Sequence, residues 1–462
     1  MSAHTYPGNQ SISLGAGCDD GKHRRRHHGR ATLRVDNFKE KFTMDRQQNN
    51  EIDLNQRIAI LGAGAAGLTA AEALKQKGYQ HITVFERTDH AGGKCLSVDI
   101  AAKTYELGAG ILTENNTVPL RLAKKYAIPF ERAHFGQSIF VDQNGQPIPS
   151  QSLALKLKVL WQLFFRYRRI LKRYNELASP GFRNLSPAIT LPFDQFSKKY
   201  KISDLANVFS LFLSSFGYCY SDHVPTAYVL KYVNWKTIVA YLKNQVYTFP
   251  NGIQGLWTRV ARQHDVRFKA EISQISRAET ITIDTESGRE EFDKLIVTTP
   301  LDETALFMDL SLQEQTLFKK IQYLDYQTIL CTVNNFVEKT GYVPENFCRE
   351  REGHPVFWYY RHAGQPVYSF YVLTDKNISE KEVTDNLRTF VHQMGGEIES
   401  VHQFIHWKYF PHVETDELNK GFYDKLNQLQ GNQHTFYAGE ILNFSCVGFT
   451  SEYAEYIVNQ HF

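Results

Sequence analysis

No stretch of this 462-residue chain approaches the roughly 18 uncharged apolar residues that a membrane-spanning helix needs, so a soluble protein is expected. An excess of one charge is also missing. The 52 Lys and Arg stand against 49 Asp and Glu, for a formal net charge of +3, and nucleic acid is not an implied partner. The one basic knot, His23-Arg24-Arg25-Arg26-His27-His28, reads as a solvated tail. A twin-arginine export signal would continue into an apolar run, and residues 30–41 are polar, so export is not expected. Cysteine is scarce: Cys18, Cys95, Cys219, Cys331, Cys348 and Cys446 are scattered singly, with no C-x-x-C pair and no histidine at metal-ligand spacing. That leaves reduced thiols in a cytoplasmic protein and no metal site. Internal repeats and low-complexity tracts are absent as well.

What is present has the balance of a globular protein, 42% hydrophobic and 22% charged, in a chain too long for one compact core. Two lobes are expected. Residues 1–56 are polar and aperiodic and are expected to be a disordered tail, with Met44 as a second candidate start. From Arg57 the pattern is that of a βαβ unit: the apolar run 57–61, a glycine turn over 62–67, a helix over 68–76 ended by Gly78, and a strand over 82–85 ending at Glu86. Over 152–177, Leu153, Leu157, Leu160, Phe164, Tyr167, Leu171 and Tyr174 recur at alternating spacings of four and three, with Lys and Arg on other faces. The pattern predicts one long basic amphipathic helix, either packed on the second lobe or in contact with an anionic lipid surface or a fatty-acid carboxylate. Strand-like stretches return at 266–275, 281–284, 295–299, 328–333, 356–360 and 367–373, a spacing that suggests a substrate-lobe sheet inserted between pieces of a nucleotide lobe.

The turn reads Gly62-Ala63-Gly64-Ala65-Ala66-Gly67 between strand and helix, with Glu86 about 20 residues on, the register of a dinucleotide fold. Gly62 permits the tight turn, Gly64 lets pyrophosphate approach the backbone, and Gly67 lets helix and strand pack. The helix N-terminus favours phosphate charge. Glu86 can accept the ribose hydroxyls and would repel a 2′-phosphate, which argues against NADP. Two further signals favour FAD over NAD. Arg87 and then Gly92-Gly93-Lys94 form a second glycine turn flanked by basic residues, suited to a diphosphate that runs on toward a flavin. Tyr105-Glu106-Leu107-Gly108-Ala109-Gly110 offers small residues against which a flat ring could lie, and Phe436-Tyr437-Ala438-Gly439-Glu440 repeats the strand, glycine, acid pattern.

Together these elements resemble the flavin-containing amine oxidase superfamily, from Arg57 to the end. The resemblance implies an α/β fold, a Rossmann-type FAD-binding lobe interleaved with a mixed-sheet and helical substrate lobe. On that plan residues 57–135, 248–301 and 430–462 form the FAD domain, 136–247 a helical lid region and 302–429 a substrate-binding sheet. It also implies that Glu86 holds the adenosine ribose, that Val266 touches adenine through its backbone, and that Gly439 and Glu440 cap the phosphate and ribityl region, with FAD bound non-covalently. Cys446 is the cysteine beside that C-terminal motif.

A narrower likeness is to the bacterial polyenoic fatty acid, or linoleate, double-bond isomerases. It rests on Glu86-Arg87-Thr88-Asp89-His90-Ala91-Gly92-Gly93-Lys94-Cys95, Leu191-Pro192-Phe193-Asp194-Gln195-Phe196, Phe216-Gly217-Tyr218, Val224-Pro225-Thr226-Ala227-Tyr228-Val229-Leu230-Lys231-Tyr232, Tyr409-Phe410-Pro411-His412-Val413 and Thr435 through Glu440. The sequence departs twice from expectation. Leu330 stands near the place where amine oxidases carry a lysine close to the flavin, which disfavours an oxidase. No arginine lies in 135–141, where the isomerases hold the carboxylate, and nearby Arg132 is the candidate substitute.

The likeness implies isomerisation of a polyunsaturated fatty acid to a conjugated diene by removal of hydride from the methylene between two double bonds and its return through flavin N5. Such chemistry requires a dry apolar tunnel whose walls tolerate positive charge, and no strong base. Aromatic residues concentrate in 212–220 and 241–249, so Tyr241, Phe216, Tyr218 and Phe249 are the candidate tunnel residues. His412 reads as a core histidine. The alternatives are an FAD-dependent oxidase or dehydrogenase of an amine or other hydrophobic molecule, and a flavin-binding lipid carrier.

Overall fold

The computed structural model describes residues 53–133 and 138–462. The expected tail up to residue 52, its basic knot, Cys18 and Met44 lie outside them, as does part of the 135–141 segment, while residues 53–56 are placed, with the Gln80 N–H donating to the Leu54 carbonyl. Residues 53–462 form one compact unit.

Its first layer is a five-stranded parallel sheet. β1 (Arg57–Leu61) and β2 (His81–Phe85) are joined by α1 (Ala65–Lys77), and β3 (Asp265–Arg267) lies beside β2. β4 (Lys294–Val297) lies on the other side of β1, followed by the strand Thr435–Tyr437. The inner strands are mainly apolar after their first residues because both faces are covered, as parallel sheets require: Ile58, Ala59, Ile60, Val84, Leu295, Ile296 and Val297 are fully buried. Gly78 ends α1 in the left-handed region, at φ 100°, with its N–H capping the carbonyls of Leu74 and Lys75. The C-terminal helix Val447–His461 packs along α1.

The second layer is a six-stranded sheet around β5 (Gln322–Asn334). β6 (Pro355–Tyr359) pairs with β7 (Val367–Thr374), and β5 lies between β7 and β8 (Glu397–His412), all antiparallel. The chain between residues 153 and 242 is largely helical: α2 (Leu153–Trp161), a π-helical turn Gln162–Tyr167, α3 (Arg168–Arg173), α4 (Ser203–Ser215) and α5 (Trp235–Leu242). The fold is of the α/β class, an FAD-type lobe interleaved with a mixed-sheet and helical lobe. No helix among the described residues is long and apolar enough to cross a membrane.

Three local expectations differ from what is found. The stretch 266–275 is two strands: β3 belongs to the parallel sheet, and Ile272–Arg277 begins a separate three-stranded antiparallel sheet. The break comes where Lys269 and Ala270 donate to the carbonyls of Thr88 and Glu86. β8 was not foreseen, because it is half exposed and paired through register shifts that break the two-residue period. The stripe over 152–177 is split, with Tyr167 and Tyr174 buried as expected and its first half exposed. The change comes at the wide π-turn: Leu163, Tyr167, Ile170 and Tyr174 are buried from there on, while Leu153, Leu157, Leu160 and Phe164 face solvent. Gln162 is held inside, donating to Asp204 at 2.6 Å and accepting from the Leu205 N–H at 2.9 Å.

A buried ion pair ties the three-stranded sheet to the helix before β5 and to the last strand of the parallel sheet. Arg277, with no exposed side-chain surface, donates to Glu314 of α6 (Leu312–Phe318) at 2.8 and 2.7 Å, and Tyr437 donates to the same carboxylate. Burial opposes ionisation of Glu314, but the Arg277 guanidinium and the Tyr437 hydroxyl outweigh it and hold the carboxyl at about 2. A carboxyl depressed in the folded state stabilises above its unfolded value of 4.5, and that contribution fades as pH falls toward 2. Glu314→Gln is therefore expected to destabilise by about 3 kcal/mol at pH 7 and to flatten the loss of melting temperature between these pH values. Melting curves of both proteins across the range check this; parallel acid profiles would remove the pair from the stability account.

Candidate active site

β1 ends in a loop that only glycine can make. Gly62 has φ +97° and donates to the Phe85 carbonyl at 2.8 Å, and a Cβ on Gly67 would lie 1.9 Å from the Gly62 oxygen. The second glycine turn closes on the first: the Gly92 N–H donates to Ala63 O at 2.9 Å, and a Cβ on Gly93 would stand 3.3 Å from the Gly64 Cα. The backbones of two glycine loops and the N-terminus of α1, which includes Ala66, thus converge on one concavity, an arrangement suited to a diphosphate. Glu86, nearly buried at the end of β2, accepts from the Ala63 N–H at 2.8 Å and from the Thr88 N–H at 2.9 Å. Val266 lies in β3 against β2, and Glu86 N donates to the Arg267 carbonyl. The groups that the resemblance assigns to adenosine are therefore adjacent. Arg87, in contrast, is turned outward: its side chain is 73% exposed and paired with Glu303 at 2.7 Å, so it does not flank the glycine loops.

At the other end of the concavity, Gly108-Ala109-Gly110 runs against the chain after Gly93. Ala109 N donates to the Lys94 carbonyl at 2.9 Å, and a Cβ on Gly108 would fall 1.9 Å from that oxygen. A Cβ on Gly110 would meet Glu106 Cγ at 2.4 Å. Lys94 donates to both oxygens of Glu440 at 2.9 and 2.8 Å, and Ser445 donates to Glu440 as well. Gly439, which precedes it, lies against the Thr298 carbonyl. The expected phosphate and ribityl residues from the two ends of the chain are thus brought together. These features, cradles that a Cβ would fill and an acid beneath the first loop, fit FAD.

From Gly108–Gly110 a cavity opens toward the second sheet. Its walls are chiefly aromatic: Phe216 and Tyr218 after α4, Tyr232, Tyr241 of α5, Tyr326 of β5, Phe357 and Tyr359 of β6, Tyr371 of β7, Trp407 and Tyr409 of β8, and Phe449. Burial pushes the phenols of Tyr218, Tyr232, Tyr241, Tyr326, Tyr371 and Tyr409 up, so the wall presents neutral rings at physiological pH. The charges in the wall are matched. Lys94 faces Glu440, and Arg361 lies 3.2 Å from Glu106, both side chains nearly buried. Burial raises the Glu106 carboxyl against the opposing effect of Arg361.

Of the substrate candidates, Phe216, Tyr218 and Tyr241 line this cavity. Arg132 and Phe249 are not in its wall. Arg132 is exposed on the short strand Glu131–Arg132, paired with Tyr247, and Phe249 is turned into the core, its carbonyl accepting from Arg361 at 2.5 Å, while Thr248 takes the wall position. Leu330 is buried among Tyr105, Leu107 and Val367, and no lysine of β5 lines the cavity. His412 is buried with its ring on Phe410 and Nδ1 at 2.8 Å from the Phe410 carbonyl, which is core packing. Cys446 lines the cavity, with its thiol pushed up by burial. Sequence reasoning missed Arg361, Trp407 and the ladder of Phe357, Tyr359 and Tyr371. The alternation of Phe357 and Tyr359 was the signal available for the last. Among the described residues no cluster of His, Cys, Asp and Glu is placed to hold a metal.

Comparison with known proteins agrees with this geometry. The chain is similar to beta-cyclopiazonate dehydrogenase of Aspergillus flavus, 25% identical over 84% of this chain and 88% of that one. Its fold is shared with the CLA-producing fatty acid isomerase from P. acnes, at a TM-score of 0.84 and 28% identity over 89% of this chain and 100% of that one. A putrescine oxidase structure, 15% identical, matches 88% of this chain and 98% of its own at a TM-score of 0.64, a likeness of fold alone. Residues 65–437 match the family model of the flavin-containing amine oxidoreductases, and the chain belongs to that family.

Proposed function

We propose that this protein is an FAD-dependent isomerase of polyunsaturated fatty acids, moving a double bond of a methylene-interrupted diene into conjugation. The observation that carries the reading is the cavity itself: it is walled by neutral aromatic rings, its ionic groups are paired with one another, and no lysine of β5 lines it. Likeness over the whole fold to a fatty acid isomerase supports it. FAD, when bound, supplies a centre that accepts hydride and returns it. The chain's own residues supply the surroundings. Ring faces of Phe216, Tyr218 and Tyr241 attract positive charge that develops along the substrate, by about 0.5–2 kcal/mol each in good geometry. The apolar wall excludes water that would quench a carbocation. No proton has to move, so a cavity without a free base is suited to the reaction.

A second reading, a dehydrogenase or oxidase of another hydrophobic molecule, is supported by the match to beta-cyclopiazonate dehydrogenase over most of the chain. Mixing the yellow protein anaerobically with linoleic acid separates the two. Absorbance is expected to grow in the conjugated-diene band while the flavin stays oxidised at steady state. Bleaching without diene, or peroxide formed stoichiometrically in air, would favour the second reading.

Two further outcomes follow. Tyr241→Ala removes a ring that packs 5.2 Å from Phe212 and should raise the fatty-acid dissociation constant about tenfold, or ~1.4 kcal/mol; an unchanged constant in a titration would take Tyr241 out of the substrate site. Because the Cys446 thiol is held protonated by burial and is a poor nucleophile, FAD is expected to be non-covalent. Acid precipitation should then leave all yellow colour in the supernatant, and a yellow pellet would show a covalent link.

A further inference from the structure

We propose that α2 and the helical turns after it dock this protein on anionic lipid bilayers, beside the cavity that an apolar substrate enters; the purpose of docking, though not the docking itself, rests on the fatty-acid reading above. Nothing in α2 is buried. Its sequence, LALKLKVLW, starts at the Ser152 cap and sets Leu153 at 73% and Leu157 at 58% exposed, and Leu160, Trp161, Phe164 and Phe165 continue the apolar surface through the π-turn. Soluble proteins seldom expose this many large apolar side chains together.

The charges say what covers the patch. Between Leu153 and Tyr174 every ionisable group other than tyrosine is a cation, Lys156, Lys158, Arg166, Arg168, Arg169, Lys172 and Arg173, and there is no Asp or Glu. Lys158 pairs with Asp204, and Arg166 and Arg168 lie over Trp161 and Trp235, while Lys156, Arg169, Lys172 and Arg173 project into solvent. A second copy meeting this face across a two-fold axis would bring like charges together. An anionic bilayer instead meets the cations at its headgroups and takes the apolar side chains about 5–10 Å into the acyl boundary.

The patch also adjoins the cavity. α2 is held to α4 through Lys158 and Asp204, and α4 leads into Phe216 of the wall. Phe164 contacts Trp235 at the start of α5, whose far end sets Tyr241 in the wall and Leu242 59% exposed beside it.

The test is co-sedimentation of the full-length FAD-loaded protein with vesicles of phosphatidylcholine alone or mixed with phosphatidylglycerol. Anionic vesicles should retain it at least about tenfold better, with retention falling as salt rises. Leu157→Ser/Phe165→Ser and Lys156→Glu/Arg169→Glu should each lose about tenfold in retention while keeping the flavin spectrum and melting temperature. Equal retention by the two vesicle types, no retention, or a solution dimer that the Leu157→Ser/Phe165→Ser protein fails to form would overturn the proposal. Diene formation from dissolved linoleic acid is followed alongside. Vesicle binding without diene supports docking and removes the isomerase reading, whereas diene without vesicle binding overturns docking alone.

Discussion

Two loops at the ends of parallel strands must touch with almost no atoms between them, and the rest of the molecule is arranged around that contact. The Gly62–Gly67 turn and Gly92-Gly93 meet at backbone distance, which fixes where α1 starts, where Glu86 is held and where the chain emerges at Lys94. From Lys94 the same constraint passes to Gly108 and Gly110, whose missing side chains let a third segment lie against the first two. A flat ligand spanning these three contacts has one direction in which to continue, toward the second sheet.

What it meets there is electrostatically quiet. Charges near the cavity neutralise one another at short range, and burial keeps the phenols in their neutral form. A site of this kind contributes little acid–base catalysis. Its contribution lies in exclusion of water, in shape, and in the quadrupoles of its rings.

Legibility in the sequence followed the range of the interactions. The nucleotide end was readable because its physics is local: a turn that needs glycine, a helix N-terminus and an acid at a strand end lie within one βαβ unit, and the structure places Gly62, Gly64, Gly67, Glu86, Gly92 and Gly93 together. Arg87 was misplaced because neighbouring charge in sequence does not reveal a partner as distant as Glu303. The cavity was half readable. Phe216, Tyr218 and Tyr241 stand in aromatic-rich stretches, whereas Arg361 and Trp407 become wall residues only when separate strands pair. The helix over 152–177 was readable only in its second half. Tyr167 and Tyr174 are buried as their spacing suggests, whereas Leu153, Leu157 and Leu160 lie in α2, which packs against too little to bury anything, and periodicity does not reveal which part of an amphipathic helix is covered.

The sheet order carries a consequence for biosynthesis. β1 lies near the start of the fold, yet its sheet is completed by Thr435–Tyr437, and Lys94 meets its counter-ion at Glu440. A nascent chain emerging from the ribosome can therefore build the second sheet and the helices while the cofactor cradle is still missing a wall. Loop closure over so long a separation is slow. Assembly of the dinucleotide lobe thus waits until residues 435–440 have emerged, and until then β4 lacks its outer neighbour and Lys94 its counter-ion.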